Sequence, residues 1–386
     1  MENSDFTLKL NEIPVIDNHC HPPLKSSIET ESEFKRFFTE SFDPRIVSGH
    51  VQNTLFYPQS LRDINAMLGR GGEPNIEAIL TERNLLGTAG LVRRIVQRAN
   101  IGGLIMDFGY QAGDSHSVDD MRGMLRGLDC PCLYVLRLET RAEELMIANP
   151  DFDRFMSAFG LELTNLRVKG VTALKSIIAY RSGLDIQPTT ESQAAEAFNE
   201  VMVSQKQSEI SLRLTSKTLL DYLVVEALNK VSTQNIPVQF HTALGDTDVD
   251  LLKANPLLLK SIFDDQRFRD VPIVMLHCYP YLKEAAYLTN MYGNAYLDLS
   301  MTVPMLNFSS PRALEDVLGM APTSKVLYGS DAPSLVDFLW LGAVSIRRAL
   351  VQVLSGWVQQ GLPETEAERI AHQILHQNAE RLYTES

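Results

Sequence analysis

The sequence predicts an α/β fold, a (β/α)8 TIM barrel with a helical insertion after its first strand, on three observations. Eight short apolar runs recur along the 386 residues, each followed by turn residues and a helical pattern. Short buried strands alternating with helices are the signature of a parallel sheet. Eight such units in one domain suit a closed barrel, so residues 1–386 read as one domain with residues 23–102 inserted in it. No Gly-x-Gly-x-x-Gly turn follows the first run, which argues against the alternative, a doubly wound open sheet.

The first run, Ile13–Asn18, leads through His19 and His21 to Pro22. Along a strand, residues two apart share a face, so Val15, Asp17, His19 and His21 project together. Proline cannot donate to a ladder, and the strand stops there with its histidines at its C-terminal end. Residues 23–102 follow with helical patterning at Ser32–Ser41 and Ile76–Ala99, joined through the glycine-rich loop Gly69–Gly72. This insertion is placed to cover a site. The remaining runs are Gly103–Phe108, Cys132–Leu138, Val171–Ile178, Pro237–His241, Val271–His277, Ala295–Ser300 and Lys325–Tyr328. Helices are expected at Ser117–Gly127, Glu191–Val203, Ile210–Lys230, Pro280–Tyr292 and Pro311–Leu318, with Ser345–Gln359 and Glu364–Leu382 closing the chain. His372 and His376 fall on a polar face past the last strand and read as surface residues.

Composition narrows the function. With 45% hydrophobic and 22% charged residues the chain is that of an ordinary globular protein. A formal net charge of −13 and the lack of any basic run exclude a nucleic-acid-binding surface. The N-terminal Met-Glu-Asn-Ser-Asp-Phe carries no leader pattern, and no apolar stretch approaches the roughly 20 residues of a membrane span. Four cysteines suggest no disulfide framework, so a reducing cytoplasm is expected. Cys130-Pro-Cys132 reads as the opening of a buried strand. The expected partner is a small-molecule substrate, with a homodimer left open and neither nucleic acid nor membrane involved.

Chemistry concentrates where the runs end. His241 ends the fifth, His277 the sixth, Asp331 follows the eighth after a Gly-Ser turn, and Lys175 ends the fourth. In a (β/α)8 barrel such ends share one mouth, and metal-ligand residues at the first, fifth, sixth and eighth together are hard to credit to chance. Arg137 and Glu139 share a face if the third strand continues through both. Arg137 and Arg181 are candidates to clamp an acidic substrate group, with an internal ion pair as the alternative. Tyr180 is placed to line the pocket.

The His19-x-His21 pair, strand-end His241 and His277, and Asp331 in Tyr-Gly-Ser-Asp resemble the amidohydrolase superfamily of metal-dependent barrels. Lys175-Ser-Ile-Ile-Ala-Tyr-Arg-Ser-Gly183, His277-Cys-Tyr-Pro-Tyr281 and Tyr296-Leu-Asp-Leu-Ser300 look like one branch of it. That branch includes the amidohydrolase-like half of fungal and plant proteins fused to a glutamine-synthetase-like domain. The resemblance runs from residue 13 to Asn378–Tyr383. No fusion partner follows, so a stand-alone version is expected.

The resemblance implies a divalent metal, zinc first with manganese or iron as alternatives, as one or two ions. His19, His21, His241 and Asp331 would be ligands, and Asp331 also the acid–base group for water and leaving amine. His277 would be a second-metal ligand or a carbonyl-polarising imidazole. Lys175 would be a bridging ligand if carboxylated, and otherwise an ammonium facing a substrate carboxylate or oxyanion. The implied activity is hydrolysis of a C–N, amide-type bond in a small acidic molecule. The alternatives are a metal-dependent non-oxidative decarboxylase, expected with one metal and an unmodified lysine, and a barrel whose metal is only structural.

Overall fold

The computed structural model describes residues 9–110, 114–206 and 210–384; the N-terminal hexapeptide read above for a leader lies outside them. The eight strands are β1 (Val15–Cys20), β2 (Ile101–Asp107), β3 (Cys132–Arg137), β4 (Val171–Ser176), β5 (Val238–Thr242), β6 (Ile273–His277), β7 (Ala295–Asp298) and β8 (Val326–Leu327). They form one sheet in chain order, with parallel pairing. The ring returns on itself where the Asn18 N–H donates to the Tyr328 carbonyl and the Asp331 N–H to the His19 carbonyl, both at 2.9 Å. This is the (β/α)8 barrel. Every residue of β1, β4, β5 and β6 is buried, as expected of strands covered on both faces.

By packing, the chain divides into two compact units: residues 1–133, 245–247 and 298–381, and residues 134–244, 248–297 and 382–386. The first contains β1, β2 and β8. Its inserted segment holds helices at Glu31–Lys35, Pro44–Gly49, Phe56–Met67 and Ile76–Arg98, and ends before Ile101, which already belongs to β2. The expected helix over Ser32–Ser41 is shorter: a Thr30–Glu33 capping box starts it, and it tightens into a 3-10 turn at Arg36–Phe38. Pro44–Gly49 and Phe56–Met67 escaped the sequence reading. The first is one short amphiphile that starts on an Asp43 cap with proline in its first turn.

The insertion is fastened rather than loose. Phe38 packs against Phe34, Phe56 and Phe338, with ring centroids 5.1, 5.4 and 5.2 Å away. Arg83 meets Asp337 in a fork, Nε to Oδ1 at 2.9 Å and Nη2 to Oδ2 at 2.6 Å, with both side chains buried. Asp337 opens the helix Asp337–Gln359, which starts eight residues before the expected Ser345. By length and composition that helix is apolar enough to cross a membrane, contrary to the sequence reading, but 67% of the apolar window is buried inside the protein.

The second unit contains β4–β6 and most of β3 and β7. Two helices unforeseen in the sequence, Leu138–Ala148 and Phe152–Glu162, separate β3 from β4. Helix Lys217–Val231 starts later than the expected Ile210. Leu212 and Leu214 are buried while Ser211 and Arg213 are exposed, a period of two that marks extended chain, and the Leu214 N–H donates to Glu143 Oε1 at 2.7 Å. The closing helix expected over Glu364–Leu382 is interrupted by a π-helical turn at Gln373–Gln377. There His372 and His376 are half-buried, not on the surface, and their ring nitrogens lie 3.0 Å apart.

Candidate metal centre

His19 lies in β1 and His21 just past its end, and both are buried. Their Nε2 atoms each lie 3.3 Å from the same oxygen, Asp331 Oδ1. The three donor atoms fall within 4.8 Å of one another. His21 Nδ1 stands 3.1 Å from the Asp107 carbonyl. A carbonyl only accepts, so Nδ1 carries the proton and Nε2 presents its lone pair toward Asp331. Two imidazole nitrogens and a carboxylate oxygen, oriented from behind in this way, fit a divalent ion of the zinc, manganese or iron kind.

Asp331 reaches this position because the backbone after β8 turns through the left-handed region, with φ of 48° at Asp331 itself. Such a φ is uncommon outside glycine, though aspartate tolerates it better than most residues. The turn is held from beneath. Asp17 Oδ1 accepts from the Ser330 N–H at 2.9 Å and the His19 N–H at 3.3 Å. Burial pushes the Asp17 carboxyl up to about 7, against the opposing pull of those hydrogen bonds. Asp298 Oδ2 accepts from Asn18 Nδ2 at 2.9 Å, and its Oδ1 from the Ser300 hydroxyl at 2.6 Å. A Cβ at Gly329 would lie 2.5 Å from Asp298 Oδ2 and 2.9 Å from Ser300 Cβ, so only glycine allows this approach.

The second unit gathers another set of the expected residues. His241 and His277, at the ends of β5 and β6, have ring centroids 4.5 Å apart, and the Tyr180 ring lies 4.4 Å from His241. His277 adopts φ of 67°, a strained conformation of the kind that concentrates at functional sites. Lys175 is buried in β4, in register with Arg137 on one side and Gln239 on the other.

Two expectations change. Glu139 does not continue β3, which ends at Arg137; it lies in the following helix, accepting from the Ser176 hydroxyl at 2.6 Å and the Ile177 N–H at 3.0 Å. Burial raises its carboxyl above the usual range. Arg181 takes the ion-pair alternative, 3.1 Å from Glu143.

Residues 210–384 match the family described as Amidohydrolase. Protein fluG of Emericella nidulans is 37% identical over 222 residues, 55% of this chain. That match spans only a quarter (25%) of the relative's length. A "putative metal-dependent hydrolase" from Lactobacillus casei superposes with a TM-score of 0.87 at 26% identity, covering 97% of this chain and 96% of that one. Over residues 210–384 the chain carries the amidohydrolase family's sequence pattern. Uronate isomerase from Thermotoga maritima shares the fold alone: TM-score 0.67, 12% identity, 97% of this chain and 95% of that one covered.

A cavity of about 830 Å³ lies in the first unit beside the metal centre. Its wall includes Pro333 and Ser334, just past Asp331, and Tyr110, whose ring lies 4.7 Å from His21. Glu40 and Asp246 also line it. Burial, and then the facing charges of Asp331 and Asp246, push the Glu40 carboxyl up to about 7. Sequence reading missed both acids, because each is an isolated carboxylate in a loop with no motif around it. The one signal available was the insertion itself. Asp107 orients His21 through its backbone carbonyl, and Asp298 lies beneath the centre.

Proposed function

We propose that this protein cleaves a C–N, amide-type bond of a small molecule bearing a carboxylate, with zinc as its ion. The observation that carries the reading is the pair of imidazole Nε2 atoms converging on Asp331 Oδ1 at 3.3 Å each. Bound there, a divalent ion lowers the pKa of a water towards about 7 and polarises a carbonyl.

The chain supplies the rest. With a metal ion held by His19, His21 and Asp331 Oδ1, Asp331 Oδ2 is left as the oxygen that takes the proton of the attacking water. Asp331 then delivers that proton to the leaving nitrogen, and the amine departs neutral. His21 keeps one tautomer throughout, because its Nδ1 proton is engaged by the Asp107 carbonyl. The Tyr110 ring lies against His21, with centroids 4.7 Å apart.

The test is Asp331→Asn, assayed with a panel of carboxylate-bearing anilides alongside metal analysis. Turnover should vanish while most of the metal stays bound. Wild-type rates in that variant would remove Asp331 from the proton path, and release of carbon dioxide in place of an amine would replace hydrolysis by decarboxylation.

A further inference from the structure

The cavity beside the metal centre has a charge pattern of its own. Its charged lining residues are Glu33, Arg36, Glu40 and Asp246. Glu33 is spent on its helix start, accepting from the Thr30 and Glu29 N–H groups. The charges acting on Glu40 are those of Asp331 and Asp246, both negative. Among the described residues, Glu40 and Asp246 belong to no group of three donors that could hold a metal ion. Two carboxylates lining one cavity without a third metal donor suit a cation with hydrogens to donate.

Two further observations point to a ligand. Ser334 lines the cavity, is 3% exposed, and its hydroxyl has no hydrogen-bond partner among the described residues. A buried hydroxyl left in that state costs free energy that a bound polar group would recover. Arg36, at the exposed end of the same wall, forms no ion pair among the described residues. The volume is in the range of small-molecule sites.

We infer that the substrate of this site is zwitterionic, an amino-acid amide whose ammonium group sits between Glu40 and Asp246 and whose carboxylate faces Arg36. This rests on the amide-hydrolase reading and sharpens it. A purely anionic substrate would meet two carboxylates with one guanidinium to balance them, whereas a head group carrying both charges meets complementary partners at each end. Ser334 is then the acceptor or donor that fixes the head group's rotation.

The test compares γ-glutamyl-anilide with glutaryl-anilide, which lacks only the ammonium. Zinc-loaded protein is titrated with each by calorimetry, and released aniline is measured in the same samples. The wild type should bind the γ-glutamyl compound more tightly by about tenfold or more, the scale of a charge-assisted contact. The Glu40→Gln, Asp246→Asn double variant should lose that preference while keeping its metal content and circular dichroism. Arg36→Met should weaken both compounds alike. Equal or tighter binding of glutaryl-anilide to the wild type, no binding of either, or a preference surviving in the double variant would overturn the inference. Tight binding of γ-glutamyl-anilide without aniline release would leave it standing and sink the hydrolase reading instead.

Discussion

Gly329→Ala isolates the packing beneath the metal centre. The added Cβ would lie 2.5 Å from Asp298 Oδ2, 2.9 Å from Ser300 Cβ and 3.3 Å from the His19 backbone nitrogen. Ordinary carbon–oxygen contact needs close to an ångström more, so something must move. Asp298 cannot swing aside cheaply: its Oδ2 accepts from Asn18 and its Oδ1 from Ser300, and all three side chains are fully buried. Overpacking a full core costs about 1–3 kcal/mol, and loosening a hydrogen bond to a buried carboxylate adds about 1 kcal/mol. The total, about 2–4 kcal/mol, corresponds to a fall in Tm of roughly 2–5 °C for a chain of this size.

Because His19 and Asp331 flank the collision, metal affinity should fall with stability. Gly356→Ala is the control: it lies in the Asp337–Gln359 helix with nothing within 4 Å of its added Cβ. It should be neutral or gain up to about 1 kcal/mol from helix propensity. Scanning calorimetry and zinc titration of both variants decide the matter. A Gly329→Ala protein with wild-type Tm and wild-type zinc affinity would refute the account of the turn.

Other predictions follow from separate parts of the structure. Arg83→Met strands the Asp337 carboxylate in the core and should cost about 3–5 kcal/mol in denaturant unfolding, most of it recovered by Arg83→Met with Asp337→Leu; an unchanged midpoint in the single variant would show that the pair is not a clamp. Glu139 has its carboxyl raised by burial, so the folded state holds that proton more tightly than the unfolded one. Its stabilising share is full below the unfolded carboxylate range and is lost as pH climbs through the raised value. Glu139→Gln should therefore flatten the decline in stability above pH 4.5, with Ser176 rotating to accept from the new amide; an identical pH profile would dismiss the carboxyl as its source. His241→Ala tests the ligand role implied by the family, and metal content per chain equal to wild type would withdraw it.

The parts legible in the sequence are those set by near neighbours in the chain. A buried strand needs a run of apolar side chains, and a turn needs Gly, Pro or Asn. All eight strands therefore appear where the runs are, and His19 and His21 stand two apart where β1 ends. Where two local patterns compete, the reading slipped. Leu212 and Leu214 suit either period over so short a span, and Glu139 sits at the step from strand to helix.

The sequence by itself thus determined the barrel, its insertion, and the residue types brought to the strand ends. Only tertiary structure decided their partners. Asn18 and Asp298 are 280 residues apart, and nothing in either neighbourhood names the other. Asp331 Oδ1 faces two imidazoles because a glycine lets β8 approach Asp298, and Glu40 meets Asp246 across a cavity that no motif encodes. Periodicity records which face of an element is buried. Which atom that face meets depends on the closure of the whole sheet, a property of the folded chain and not of any window along it.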